Sequence, residues 1–328
     1  MRSCPLPNVG AMSDPHRPAL PRPPAPPVPT FGGVQVLRPD VMRVRLPLVN
    51  AYLLGQPSGD WVLVDAGMPG TAGLIRRAAA QVHGDRAPSA ILLTHGHLDH
   101  VGALHALLRH WWVPVYVHPL ELPYLSGEAP YPFPDPTVGG GMSLLSPAFL
   151  PGPFDFRPQV RALPDGGEVP HLPGWRWLHT PGHSSGHVSL WREADRTLVA
   201  GDAFVTTPQE RVRGALRLEP TVVQRPPPYY TPNWDAARDS VRALAALDPE
   251  LAATGHGNPM SGAELTQELT RLARNFDEAA RPPRGWYRRH PVPVARARAG
   301  APDPLRTYVL AALAGLGALW FLAPRRRR

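Results

Sequence analysis

This 328-residue sequence predicts an α/β or α+β fold with its helices on the outside, on three observations. Short strand-like apolar runs alternate with helical patterns through the middle of the chain. Some of those runs, such as AILL at residues 90–93, are continuously apolar, as strands covered on both faces are. A hydrophobic share of 43% suffices for one large domain or two small ones.

The elements follow in order. Residues 1–30 include PRPPAPPVPT, a proline density that cannot build a core and should be extended and mobile. They contain no apolar stretch of signal-peptide type, and Met12 is an alternative start to Met1. Order is expected from Phe31. Residues 34–48 alternate loosely as strands, and NAYLL (50–54) and WVLVDAG (61–67) continue the pattern. GLIRRAAAQV (73–82) is helical in spacing, AILLTH (90–95) a covered strand, GALHALLRHW (102–111) a helix and VPVYVH (113–118) a strand. Residues 119–158, rich in Pro and Gly, read as a loop or lid insertion with little regular structure. WRWLHTPGH (175–183), GHVSLW (186–191) and TLVAGD (197–202) are strand-like. Trp234, Ala237, Val241 and Leu244 mark one face of a helix. A last helix of the catalytic domain, taken as residues 31–280, opens on a capping box at Ser261 and Glu264. Leu265, Leu269, Leu272 and Phe276 lie on its apolar face.

Composition narrows the chemistry. Lysine is absent, so all 34 basic residues are Arg, and the net charge is +8. Much of that charge lies in residues 281–306 and 325–328, leaving the core nearer neutrality. No nucleic-acid partner is expected. Cys4 is the single cysteine, which excludes an intrachain disulfide and a cysteine zinc site. Any metal must be held by His and carboxylate.

That requirement gives the stretch THGHLDH, residues 94–100, its meaning. His95, His97, Asp99 and His100 place four donors within six residues, on a turn after a strand, where alternate side chains converge. Surface histidines on a polar loop are the bland alternative, and four donors so close together disfavour it. The motif is half a site. Three later strand-like ends supply the rest: TPGH gives His183, AGD gives Asp202 and TGHG gives His256. Seven donors result, with Asp202 suited to bridge because its two oxygens can each take one cation.

With these motifs in this order, and with VDAG carrying Asp65 before them, residues 34–276 resemble the metallo-β-lactamase-fold hydrolases. The resemblance implies an α+β four-layer αββα sandwich with the metals at one edge of its two sheets. It implies His95, His97 and His183 on one ion, Asp99, His100 and His256 on the other, Asp202 between them, and Asp65 orienting a ligand histidine. The missing cysteine at Asp202 sets the chain apart from the best-known antibiotic-hydrolysing branch. In style it is nearest the glyoxalase II-like and lactonase-like members, although a glutathione-binding basic cluster is not recognisable.

The expected activity is that of a dinuclear zinc hydrolase. The ions acidify a shared water, and the resulting metal-bound hydroxide attacks the carbonyl of a small-molecule thioester, ester or lactone. Asp99 is both ligand and the catalytic orienter or proton shuttle. His187, Tyr229 and Tyr230 are weaker candidates for contact with the substrate, and a structural role for His187 is slightly preferred. His179 reads as a support or packing residue, and His105 and His110 as non-ligands. A mononuclear non-haem iron persulfide dioxygenase of the same fold is one alternative, which makes iron the alternative metal. A non-catalytic binding protein with a vestigial site is another.

The C-terminus reads as a Pro/Arg-rich linker (281–306), an uncharged apolar stretch (307–323) and a basic tail (324–328). Seventeen apolar residues make a helix of roughly 25 Å, short for a bilayer core of about 30 Å. Tyr308, Trp320, Phe321 and the flanking arginines are placed as interfacial anchors would be. A C-terminal membrane anchor on a cytoplasmic catalytic domain is therefore expected.

Overall fold

A computed structural model describes residues 30–149, 151–212, 214 and 221–322. The proline-rich start up to residue 29, Ala323 and the basic tail lie outside the described residues. Among the described residues the chain forms twelve strands in two sheets. The first sheet orders β1 (Val34–Arg38), β2 (Val41–Arg45), β3 (Asn50–Gly55), β4 (Trp61–Val64), β5 (Ala90–Leu92), β6 (Val115–Val117) and β7 (Val160–Ala162) side by side. Neighbours are antiparallel through β4 and parallel beyond it. The second sheet runs β12 (Met260–Ser261), β11 (Leu251–Thr254), β10 (Thr197–Gly201), β9 (Val188–Arg192) and β8 (Trp175–His179). Here β10 and β11 alone are parallel.

Period-two alternation stacks the layers. Along β4, Val62 and Val64 point inward and pack with Leu190, Val199 and Ala253 of the second sheet. Trp61 and Leu63 point outward onto α1 (Ala72–His83), α2 (Leu98–Val101) and α3 (Leu104–His110), meeting Ile75, Ala78, Leu104 and Leu107. The second sheet does the same with Leu198, Ala200 and Ala252. Those residues meet Trp234, Val241, Leu265 and Leu269 of α6 (Trp234–Ala246) and α7 (Gly262–Arg274). The result is an αββα sandwich, and strands buried on both faces account for the continuous apolar runs.

Several expectations are corrected. Ser261 makes no side-chain cap bond at the start of α7, and Phe276 opens a separate short helix, α8 (Phe276–Ala279). The insertion at 119–158 holds short helices, among them α4 (Leu122–Leu125) and α5 (Gly141–Leu145). It also buries Glu121, Tyr124, Leu125 and Tyr131. Residues 281–303 do not run free as a linker. Trp286 N, at the start of α9 (Trp286–Arg289), donates to Asp135 Oδ2 at 2.5 Å. Tyr287 Oη donates to the Phe133 carbonyl at 2.7 Å, and Phe133 N donates to Asp303 Oδ2 at 2.8 Å. These bonds give the segment backbone and aromatic partners on the domain. A helix, α10 (Pro304–Leu322), covers most of the apolar tail. Its first turn docks through Leu305 on Phe133 and Tyr287. No helix among the described residues is long and apolar enough to cross a membrane, so the expected anchor finds no support there.

Docking of the tail is measurable. Leu305→Ala should cost about 2–3 kcal/mol of unfolding free energy, as truncation of a buried leucine does. For a domain of this size that lowers the thermal midpoint by roughly 4–10 °C. An unchanged urea midpoint would mean that the contact contributes nothing in solution.

Candidate metal centre

The site lies where β4, β5, β10 and β11 end and the 180–187 turn crosses beside them. Asp65, one residue past β4, is buried and adopts a left-handed φ of 63°, which a short polar side chain tolerates better than most. Its Oδ1 accepts from Thr94 N at 2.8 Å. Its Oδ2 lies 2.8 Å from Thr94 Oγ1 and 2.8 Å from His100 Nδ1. The carboxylate thus fixes the start of the 94–100 loop and the imidazole at its end.

The outer nitrogens of four histidines are occupied, and their partners set the tautomers. Thr94 Oγ1 gives its proton to Asp65, so it accepts from His95 Nδ1 at 3.1 Å. His100 Nδ1 donates to Asp65. His256 Nδ1 donates to the Leu48 carbonyl at 2.7 Å. Thr231 Oγ1 donates to the Pro227 carbonyl at 2.8 Å and faces His183 Nδ1 at 3.4 Å. With each Nδ1 so committed, Nε2 is the nitrogen turned to the centre, and these four converge with His97 Nδ1, which lies 3.0 Å from His183 Nε2.

Ligand atoms of His95, His97 and His183 lie within 4.8 Å of one another, as do those of Asp99, His100 and His256. The set His95, His100 and Asp202 joins them. Asp202 Oδ2 stands 3.0 Å from His256 Nε2, 3.4 Å from His183 Nε2 and 3.5 Å from His100 Nε2. One oxygen therefore faces both groups, where the sequence suggested one oxygen for each. Gly255 permits this, since a Cβ there would meet Asp202 Oδ1 at 2.0 Å.

Buried lone pairs crowded together without donors fit a cation. His95 Nε2, His100 Nε2 and Asp202 Oδ1 are buried without a hydrogen-bond partner, a costly arrangement unless something positive sits among them. Burial and neighbouring imidazoles push His95 and His183 well below the usual histidine range, and burial takes His97 to about 3. Burial acts the same way on His100, but Asp65, Asp202 and Asp99 outweigh it and hold that ring well above its ordinary value. Burial likewise opposes the charge on His256, and Asp202 and Asp99 again outweigh it and raise that ring. The donor set thus joins imidazoles held neutral at His95, His97 and His183 to rings beside carboxylates, a composition that suits zinc or iron.

His187 is placed differently. Its Nε2 accepts from Asp202 N at 2.9 Å and its Nδ1 donates to Thr180 Oγ1 at 2.8 Å. Both nitrogens are committed, and burial holds its pKa down to about 3. It therefore steadies the backbone that carries Asp202. Tyr230 stacks on His97 with ring centres 4.3 Å apart, and Tyr229 lies 5.0 Å from Tyr230. His179 bonds Ser185 O at 2.8 Å and stacks on His118, away from the donors. His105 packs on Phe156 and His110 on Trp111.

Two supports were not read from the sequence. Glu121, fully buried, clamps the two loops that carry His95, His97 and His183. Its Oε2 accepts from Gly96 N at 3.1 Å and from Tyr131 Oη. Its Oε1 accepts from Ser184 Oγ and Gly186 N, both at 2.8 Å. A lone Glu between Leu120 and Leu122 was the available signal, since a carboxylate amid apolar residues must find donors. Arg43, almost fully buried, is the other. Its Nη2 donates to Gly257 O at 3.1 Å, while Asn50 Nδ2 donates to Gly257 O at 2.8 Å and to Thr254 O at 2.9 Å. The first sheet thereby holds the loop of His256. Burial lowers the Arg43 pKa to about 10.

Comparison with known proteins agrees with this geometry. Residues 44–256 match the metallo-beta-lactamase superfamily. A probable metallo-hydrolase of Bacillus subtilis, YflN, is 43% identical over 237 residues, 71% of this chain and 89% of its own. A second from the same organism, YybB, is 29% identical, over 65% of this chain and 82% of its own. Among solved structures, a beta-lactamase domain protein from Burkholderia ambifaria superposes with a TM-score of 0.54 at 23% identity. That match covers 77% of this chain and 79% of the other, and it reports on the fold.

Two substitutions test the supporting residues. Glu121→Gln leaves one backbone N–H facing an amide NH2, so the metal-free protein should lose about 2–4 kcal/mol of stability in urea unfolding. An unaltered midpoint would remove the clamp. His187→Ala should keep zinc binding but weaken it about 10–100-fold in chelator competition, as loss of an outer support does. Abolished binding would place His187 among the ligands.

Proposed function

The chain belongs to the metallo-beta-lactamase superfamily, and from that membership we propose that it is a dinuclear zinc hydrolase acting on small esters, thioesters or lactones. The observation that carries the proposal is the pair of three-residue donor groups facing a shared Asp202. The description of the Bacillus subtilis relative as a probable metallo-hydrolase supports it. His95, His97 and His183 would hold one ion, Asp99, His100 and His256 the other, and Asp202 would lie between them. When bound, such ions acidify water and polarise the scissile carbonyl.

The chain's own residues do the rest. Asp99 Oδ2 sits 3.3 Å from His256 Nε2, and its side chain remains 21% exposed, whereas Asp202 is buried. Asp99 is therefore the carboxylate that can receive and pass on a proton. Burial and the Asp99 charge hold the phenols of Tyr229 and Tyr230 well above the usual tyrosine range. They remain protonated and can donate to a substrate oxygen. Ser184 and Tyr131 are tied up by Glu121 and shape the wall.

Metal analysis with turnover is the test. Wild-type protein should carry two zinc ions per chain and hydrolyse an ester or thioester. Asp202→Ala should carry fewer than two and lose about a hundredfold or more of turnover. One equivalent of iron with oxygen uptake, or wild-type occupancy and turnover in Asp202→Ala, would overturn the assignment.

A further inference from the structure

The Tyr229–Tyr230 pair divides the space in front of the donors. On the His97 and His183 side a cavity of about 10 Å³ remains between Tyr131, Ser184 and Tyr287, room for about one water. On the Asp99 and His256 side the cavity is about 30 Å³, walled by Leu48, Met68, Leu98, Met142 and Phe149, with Gln209 and the two tyrosines as its uncharged polar neighbours. Neither cavity is lined by an arginine, and the chain has no lysine. Among the described residues lining them, no arginine or lysine stands ready to pair with an acid at the far end of a substrate.

Sites that take organic ligands usually offer about 300–1,000 Å³. A cleft of about 860 Å³ lies beyond Tyr131, Ser185 and Tyr287 on the His97 and His183 side, with Arg296 and Arg298 along it, whereas a ligand on the Asp99 and His256 side requires part of that wall to give way. Leu48, Met68 and Leu98 follow or precede the strands and helices that carry the donors. Met142 and Phe149 come instead from residues 139–149. That segment enters through Gly139 and Gly140, at φ of 94° and 92° with ψ of 161° and 154°, a region nearly confined to glycine. Met142 turns inward, 8% exposed, while Leu144 and Leu145 on the same short helix are 73% and 54% exposed. The segment presents apolar side chains on both faces, with the buried Ser143 and Ser146 hydroxyls closed on its own backbone. It begins on two glycines, and its inward methionine is the most adaptable of apolar side chains.

We propose that the substrates of this site are esters or thioesters with an apolar acyl chain uncharged at its far end. The chain would lie on the Asp99 and His256 side, in the place of Met142 and Phe149, with residues 139–149 shifting outward to admit it. This rests on the hydrolase reading above, and the two fail in different ways.

The experiment uses the full chain loaded with zinc. It is assayed on p-nitrophenyl and alkyl thioesters from acetyl to decanoyl, and on half-esters of matched length with a terminal carboxylate. Expected is a kcat/KM that rises about fourfold per methylene, the factor one buried CH2 supplies, to around octanoyl. Half-esters should fall at least about tenfold below their neutral counterparts. Met142→Trp should lower the octanoyl-to-acetyl ratio about tenfold, and Phe149→Trp serves if that variant does not fold. A flat or falling series, or preference for the half-ester, overturns the proposal. If no ester or thioester turns over, the hydrolase reading fails, and calorimetric binding of methyl alkyl ketones decides the inference. Affinity that climbs with chain length supports it, and affinity independent of length overturns it.

Discussion

The carboxylate of Asp65 is the constraint on which the site depends. It is buried at the end of β4, and a buried charge must be answered by donors. Its answers are Thr94 and His100, the two ends of the loop that also carries His95, His97 and Asp99. The same contacts orient Thr94 to receive His95 Nδ1. The backbone reinforces them, since Ala66 N donates to His100 O at 2.7 Å. A single acidic side chain thus fixes the direction of two candidate ligand rings and the span of the loop between them.

A second principle is that no one element owns the centre. The two sheets approach face to face, and the strand ends of each deliver donors to the same edge. The first sheet contributes His95 to His100, and the second contributes Asp202 and His256. Cross-links between the halves hold the register: the Leu48 carbonyl on His256, Asn50 and Arg43 on Gly257, and Tyr52 Oη on Thr254 O at 2.6 Å. Glu121 performs the same service between the 94–100 and 180–187 loops. Buried polar networks of this kind are costly when incomplete and rigid when satisfied.

How much of this was legible depends on whether a signal was local. The strands around residues 61–64, 90–92 and 197–201 announce themselves by apolar runs, and THGHLDH by density of donors. The Leu48 carbonyl could not be read, because any residue offers one and only the fold brings it to His256. Glu121 carried a faint signal and was passed over as part of a Pro-rich loop. Ser261 and Glu264 show the opposite error: the pattern of a capping box was present, but the Ser261 side chain forms no cap bond. The tail misled for a related reason. Its apolar composition points to a bilayer, whereas Leu305, in the segment expected to be a free linker just before it, has a partner in Phe133 that sequence spacing does not reveal.

The separation of the donors along the chain bears on how the protein is made. Residues 95–100 leave the ribosome about 150 residues before His256, several seconds or more at ordinary rates of synthesis. During that interval the nascent chain presents clustered imidazoles without the strand that completes the second group. Ion capture then would be by an unfinished set, open to whichever metal is most abundant or most tightly held by nitrogen donors. Selection of the proper metal therefore belongs to the completed donor set, after the second sheet has closed over the first.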